Sequence, residues 1–194
     1  MNLYLKLSTL FIALTFTLFF SACKNSNEPS IENVPKVING HILPPEPDPK
    51  LNNSTLLGID SNNNGVRDDV ERWIYEEYKD KHPVHIDIAM QAGRVWQKVL
   101  EDPTQAKEIY PIIDAVSWCE GYYKIYAKYF NESVLISENI NNKFFRNKIV
   151  FNTNERLEAY LEYDRLLSGD TYGTPSLDRN MSSYCDFNTS KYKE

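Results

Sequence analysis

Apolar and polar positions follow three different regimes along this chain. Residues 7–20 (Leu-Ser-Thr-Leu-Phe-Ile-Ala-Leu-Thr-Phe-Thr-Leu-Phe-Phe) are almost wholly apolar, and Lys6 is the only charge in residues 1–22. A run so short and so near the start does not suit an ordinary spanning helix, and it reads as an export signal. Residues 23–53 show no periodicity. They hold Pro29, Pro35, Pro44, Pro45, Pro47 and Pro49 among Asn and Ser. The stretch Pro44-Pro45-Glu46-Pro47-Asp48-Pro49 predicts an extended, stiff spacer, so the segment is expected to be a tether, with only 34–43 apolar enough to lie against a domain.

Beyond residue 53 apolar residues recur at helical spacing. Val66, Val70, Trp73, Ile74 and Tyr78 mark one face of a first helix reaching about Lys79. His82-Pro83 opens a second, whose apolar face is Val84, Ile88, Ala92, Val95, Trp96, Val99 and Leu100. Asp102-Pro103-Thr104-Gln105 is a further start signal, and Pro111 is expected to kink or break the helix that starts there.

From 112 to 130 two adjacent stripes predict the central helix. One is Trp118, Tyr122, Ile125 and Tyr129; the other is Ile112, Val116, Cys119, Tyr123, Tyr126 and Phe130. Helices are also predicted over 133–148 (Leu135, Ile136, Ile140, Phe144, Phe145) and 152–168, the latter with an Asn-x-x-Glu cap, Gly169 at its end, and Leu157, Tyr160, Leu161 and Leu167 inward. The fold class is therefore all-α: one irregular bundle of about five helices over 54–187. Residues from 170 are expected to be irregular, with 188–194 a flexible tail. No strand pattern and no repeat is visible.

Small residues precede the first cysteine in Phe20-Ser21-Ala22-Cys23. This resembles the lipobox of bacterial lipoproteins, with Phe20 where an aliphatic is usual. The resemblance implies cleavage after residue 22 and lipid on Cys23, which becomes the membrane anchor. Lys24, where an aspartate would retain the protein in the inner membrane, implies the outer membrane facing the periplasm. Cys119 and Cys185 then remain as an even pair, read in an oxidising compartment as one disulfide worth about 4 kcal/mol in the chain-entropy model. Two separate buried thiols are the alternative.

The densest information lies in Asp60-Ser61-Asn62-Asn63-Asn64-Gly65-Val66-Arg67-Asp68-Asp69-Val70-Glu71. Oxygen side chains stand at positions 1, 3, 5, 9 and 12, with glycine at 6, the ligand spacing of an EF-hand calcium loop. Alternate residues of a tightly curled loop point inward, so Asp60, Asn62 and Asn64 can present oxygens to one point. Gly65 permits the turn, the Val66 carbonyl comes next, and Glu71 closes the shell from the first turn of a helix. A plain polar turn is the alternative reading. The loop resembles those of dockerins and thrombospondin type 3 repeats, over these twelve residues only. That resemblance implies Ca²⁺ bound by Asp60, Asn62, Asn64, Val66 through its carbonyl, Asp68 through water, and Glu71. Position 8, apolar in paired loops, is Arg67, and the chain has no second loop. A lone structural site is expected, with an affinity on the order of 10⁻⁵–10⁻³ M and little dependence on Arg67.

Other chemistry is sparse. His82, His85 and Asp87 form a possible metal cluster, but one that spreads over different helical faces. Glu155, Glu158 and Glu162, interleaved with Arg156 and Arg165, read as a solvated face. No phosphate loop, nucleophile elbow or Cys–His pair is present. The net charge of −6 becomes −7 once Lys6 leaves with the signal, which argues against nucleic acid as a partner. The expected function is a non-enzymatic envelope lipoprotein with one structural calcium site. The alternatives are an envelope protein-binding module, such as an inhibitor or immunity protein, and an envelope enzyme with an unrecognised site.

Overall fold

The computed structural model describes residues 36–126, 135–170 and 179–192, all within the unit Pro35–Glu194. Cys23 and the expected signal lie outside the described residues. A hairpin of β1 (Val37–Ile38) and β2 (His41–Ile42) is followed by α1 (Pro49–Asn52), α2 (Asp68–Glu77), α3 (Val84–Glu101), α4 (Ala106–Gly121) and α5 (Asn154–Leu167). Two π turns, Tyr122–Tyr126 and Phe145–Val150, and short 3₁₀ turns fill the rest. The fold is helical, as the periodicity predicts. Among the described residues no helix is long and apolar enough to cross a membrane.

The central position belongs to α3 and not to the 112–130 stretch. Fourteen of its eighteen residues are buried, so neighbours surround it on nearly every side. The predicted face of Val84, Ile88, Ala92, Val95, Trp96, Val99 and Leu100 is buried throughout. Asp102 caps the next turn by accepting from Thr104 N at 3.0 Å. Pro111 does not end α4. It lies in the second turn, where a missing amide costs one hydrogen bond and the rest of the helix still packs. At its far end α4 widens into a π turn, whose extra residue lets the neighbours Tyr122 and Tyr123 both face inward. Ile112 and Ile125 of the expected stripes are exposed instead. Tyr129 and Phe130 lie outside the described residues.

Three expectations need correcting. The helix predicted over 133–148 is, from 135 to 142, an irregular turn. Its apolar residues Ile136, Ile140 and Phe145 are buried as expected, but its backbone goes elsewhere. Glu120 of α4 accepts the amides of Ile140 (3.0 Å) and Asn141 (3.1 Å), and Asn142 Oδ1 accepts those of Phe144 and Phe145. Glu120 thus takes two amides from a helical ladder, while Asn142 caps the helical turn that begins at residue 143. The cap of α5 is Thr153, whose hydroxyl accepts from Arg156 N, and Leu161 is exposed while Ala159 and Tyr163 turn inward.

The expected tether is structured from Lys36 onward. Asn39-Gly40, both at positive φ (51° and 81°), makes the tight hairpin turn such a pair favours. Ile38 and Leu43 are buried, and His41 stacks on Tyr75 with centroids 4.8 Å apart. The proline run docks because Arg72 donates to the Pro44 carbonyl (2.7 Å) and pairs with Glu46 (2.5 Å). Prolines leave such carbonyls without neighbouring amides, and an arginine takes one. The C-terminal segment is also anchored through Tyr192. Cys119 and Cys185 form the disulfide, Met181 is buried, and Tyr192 donates to Asp87 at 2.7 Å.

Candidate metal centre

The loop 60–71 closes on itself before any metal is considered. Asp68 N donates to the Ile59 carbonyl at 2.7 Å, which ties the start of α2 to the residue ahead of Asp60. Asp60 accepts from Asn64 N (3.2 Å) and Gly65 N (2.9 Å) with its two oxygens. Asn62 Oδ1 accepts from Asn64 N, and Asn64 Oδ1 from Val66 N. Asn63 and Gly65 at φ of 54° and 81° supply the curl. The floor is Val66, fully buried against Gly93 of α3. A Cβ at residue 93 would stand 3.1 Å from a Val66 methyl, so only glycine admits the loop this closely.

Three of the expected ligand residues, Asn62, Asn64 and Glu71, are joined side chain to side chain. Glu71, almost fully buried, receives Asn62 Nδ2 at 3.0 Å and Asn64 Nδ2 at 2.7 Å on one oxygen, while Asp60 is tied to the same loop through the Asn64 and Gly65 amides. The two amides satisfy the Glu71 charge as a cation would. Rotating each amide would bring its oxygen to that place, at the cost of the Oδ1 bonds to Asn64 N and Val66 N. Burial, and after it the Glu71 charge, push the neighbouring Tyr75 phenol up to about 12. Asp68 is used differently: its Oδ1 accepts Ser61 N at 2.9 Å and braces the loop from the side. Among the described residues no three His, Cys, Asp or Glu side chains are gathered closely enough to form a metal cluster. Any ion held here would rest on Asp60 and Glu71, with amide and main-chain oxygens completing the shell. Hard cations such as Ca²⁺ accept such a donor set.

The sequence-based expectation about Arg67 concerns calcium affinity alone; the structure gives this residue a separate role in the fold. Its side chain is fully buried. Nε donates to Asp69 Oδ1 (2.5 Å), and Nη2 reaches the carbonyls of Ile149 (3.1 Å) and Val150 (3.2 Å) and Asn152 Oδ1 (3.3 Å). Arg156, assigned to a solvated face from its spacing, is equally buried. It donates to the carbonyls of Asn52, Thr55 and Leu56 and to Asn53 and Asn152. Burial, then the charge of Arg67, lower its pKa to about 10, so it stays a cation at neutral pH. Gly58 lies between the two. With φ at +67°, a Cβ there would stand 2.2 Å from Arg67 Cδ. Arg165, by contrast, pairs with Glu162 at the exposed surface as expected.

His82, His85 and Asp87 do not converge. His85 bonds the His82 carbonyl and faces Glu138, while Asp87 takes Tyr192 and Lys191. A cavity of about 340 Å³ is lined by Ser117, Glu120, Lys124, Ile125, Asn139 and Asn141. Burial raises the Glu120 carboxyl against the opposing amides of Asn141 and Ile140, and both its oxygens are engaged by them.

No family model matches this chain, and no curated protein or solved structure shows a significant match to it. Any functional reading therefore rests on the residues of the site.

Arg67→Ala should lower stability by about 3 kcal/mol, because it removes a fully buried cation from the Asp69 carboxylate and the buried Val150 carbonyl. Arg165→Ala, which removes an exposed pair, should leave stability nearly unchanged. Urea unfolding of both variants measures the contrast; equal losses contradict the burial argument.

Proposed function

We propose that this chain is a non-enzymatic, lipid-anchored envelope protein whose loop 60–71 binds one Ca²⁺ as a structural ion. The observation that carries the reading is that Asn62 and Asn64 both reach the buried Glu71 in a curled loop that Asp60 closes through the Asn64 and Gly65 amides. The loop's outer residues 61–63 are exposed, so an ion has a way in. The anchor reading rests on Ser21-Ala22-Cys23 behind the apolar run.

A second reading, a protein-binding module of the envelope, is favoured by one surface feature. Val37 and Ile42 face each other across the hairpin and are both exposed, at 56% and 65%. The two readings are compatible, since a calcium-stiffened domain can also carry a partner.

Metal that binds only the folded loop adds RT ln(1 + [L]/Kd), about 2.7 kcal/mol at a hundredfold excess over Kd. Calorimetry and thermal melts should show Ca²⁺ binding and stabilising the protein more than Mg²⁺, because flexible oxygens suit the larger ion. Glu71→Gln should weaken binding most. If millimolar calcium neither binds nor raises Tm, the loop is a polar turn. Mass spectrometry of the mature envelope protein should find a diacylglyceryl group on an N-terminal Cys23; an unmodified thiol there contradicts the anchor.

A further inference from the structure

Three consecutive residues of the C-terminal segment are fastened to α3, which carries the loop's floor at Gly93, and to α4. The Tyr184 carbonyl accepts Gln91 Nε2 of α3 at 2.8 Å. Cys185 is bonded to Cys119 of α4. Asp186 accepts Arg94 Nε at 2.8 Å and Nη2 at 2.7 Å, so one carboxylate engages the guanidinium twice.

Arg94 is the point where this strap meets the calcium loop. Its methylenes run under Gly65: a Cβ on that glycine would stand 3.3 Å from Arg94 Cγ and 3.7 Å from Cδ. Gly65 in turn donates its amide to Asp60 Oδ2. The charge of Arg94 also reaches Tyr75, beside Glu71, where it opposes the rise of the phenol's pKa. A cation on a flexible stem therefore lies against a loop built from carboxylates, and Asp186 keeps its head turned away. The pair is half-exposed and modest in itself. Asp186 stays in place because a covalent bond one residue away keeps its local concentration high.

We propose that Arg94 is a tethered competitor for the calcium loop, held off it by Asp186 for as long as the Cys119–Cys185 bond keeps the strap in place. The proposal rests on the loop binding calcium, and it makes that binding sensitive to thiol chemistry. A dithiol reductant attacks one sulfur, passes through a mixed disulfide and closes to its own cyclic disulfide. The two electrons and two protons it gives up leave thiols on Cys119 and Cys185. The strap then releases Asp186, and Arg94 turns toward Asp60 and Glu71, where its guanidinium occupies the place of the ion.

The test is calcium calorimetry on the oxidised protein, the dithiol-reduced protein and oxidised Asp186→Asn, each with and without Arg94→Gln. Asp186→Asn alters one exposed side chain and leaves the disulfide intact, so it remains informative if the reduced protein is loosened. Reduction and Asp186→Asn should each raise Kd about fivefold, the factor that an exposed ion pair of about 1 kcal/mol supplies. In the Arg94→Gln background both effects should vanish. An equal rise with Arg94→Gln, or no rise in either background, overturns the proposal. If calcium fails to bind the oxidised wild type, the calcium reading itself fails. The Arg94 contact is then decided without metal, from the NMR signal of its Nε–H. On reduction that proton should stay protected with a shifted resonance; rapid exchange with solvent shows that Arg94 has gone to water and overturns it.

Discussion

The chain around the candidate site is organised by two guanidinium groups that have no access to water. Burying a cation costs several kcal/mol unless its donors are matched, so each arginine imposes an arrangement of acceptors on the backbone. Arg156 gathers the carbonyls of residues 52, 55 and 56, which coils the segment ahead of the loop around its fork. Arg67 gathers the carbonyls of 149 and 150 and the Asp69 carboxylate. Asn152 serves both: its Oδ1 accepts from each arginine and its Nδ2 donates to Asp69. Segments about a hundred residues apart in sequence are thereby registered to within a hydrogen bond. Gly58 is where they come closest, in a backbone conformation that L side chains rarely adopt.

This arrangement explains how the loop 60–71 keeps its shape without a partner loop. Paired loops support each other across position 8. Here that position is Arg67, and the support comes from the turn Phe145–Val150 on one side and the Gly93 shelf of α3 on the other. The loop is thus shaped by the fold before any ion arrives. Binding would turn the Asn62 and Asn64 amides over but leave the frame around the loop in place, and without a second loop there is no helix pair to open. A stabilising ion fits this build better than a switching one.

Much of the frame was legible because it comes from period and spacing. The face of α3 and the Asp102 cap express local rules, and the cysteine pair follows from an even count. The parts that were not legible are those where a distant group decides. Arg156 sits in a run of alternating charges, and nothing local says that carbonyls a hundred residues earlier will enclose it. The 133–148 stretch has helical spacing, but Glu120 holds the amides of Ile140 and Asn141, and the described backbone becomes helical only from residue 143. The proline run docks through Arg72, which carries no sign of that role. Asn39-Gly40 was the one missed signal present in the sequence itself, a hairpin turn flanked by Val37-Ile38 and His41-Ile42.

The most direct test of a loop shaped in advance is a calcium titration monitored by ¹H–¹⁵N correlation spectra of the oxidised protein. Amide signals of residues 60–71 should move in a saturable way, together with those of Tyr75 and Arg94 beside them. The signals of α4, α5 and the Arg156 cradle at 52–58 should stay in place, since that cradle is complete without metal. Shifts spread through all the helices would show that the loop is built by the ion and not by the arginines; no shift at millimolar calcium would show that the ring of oxygens takes no cation.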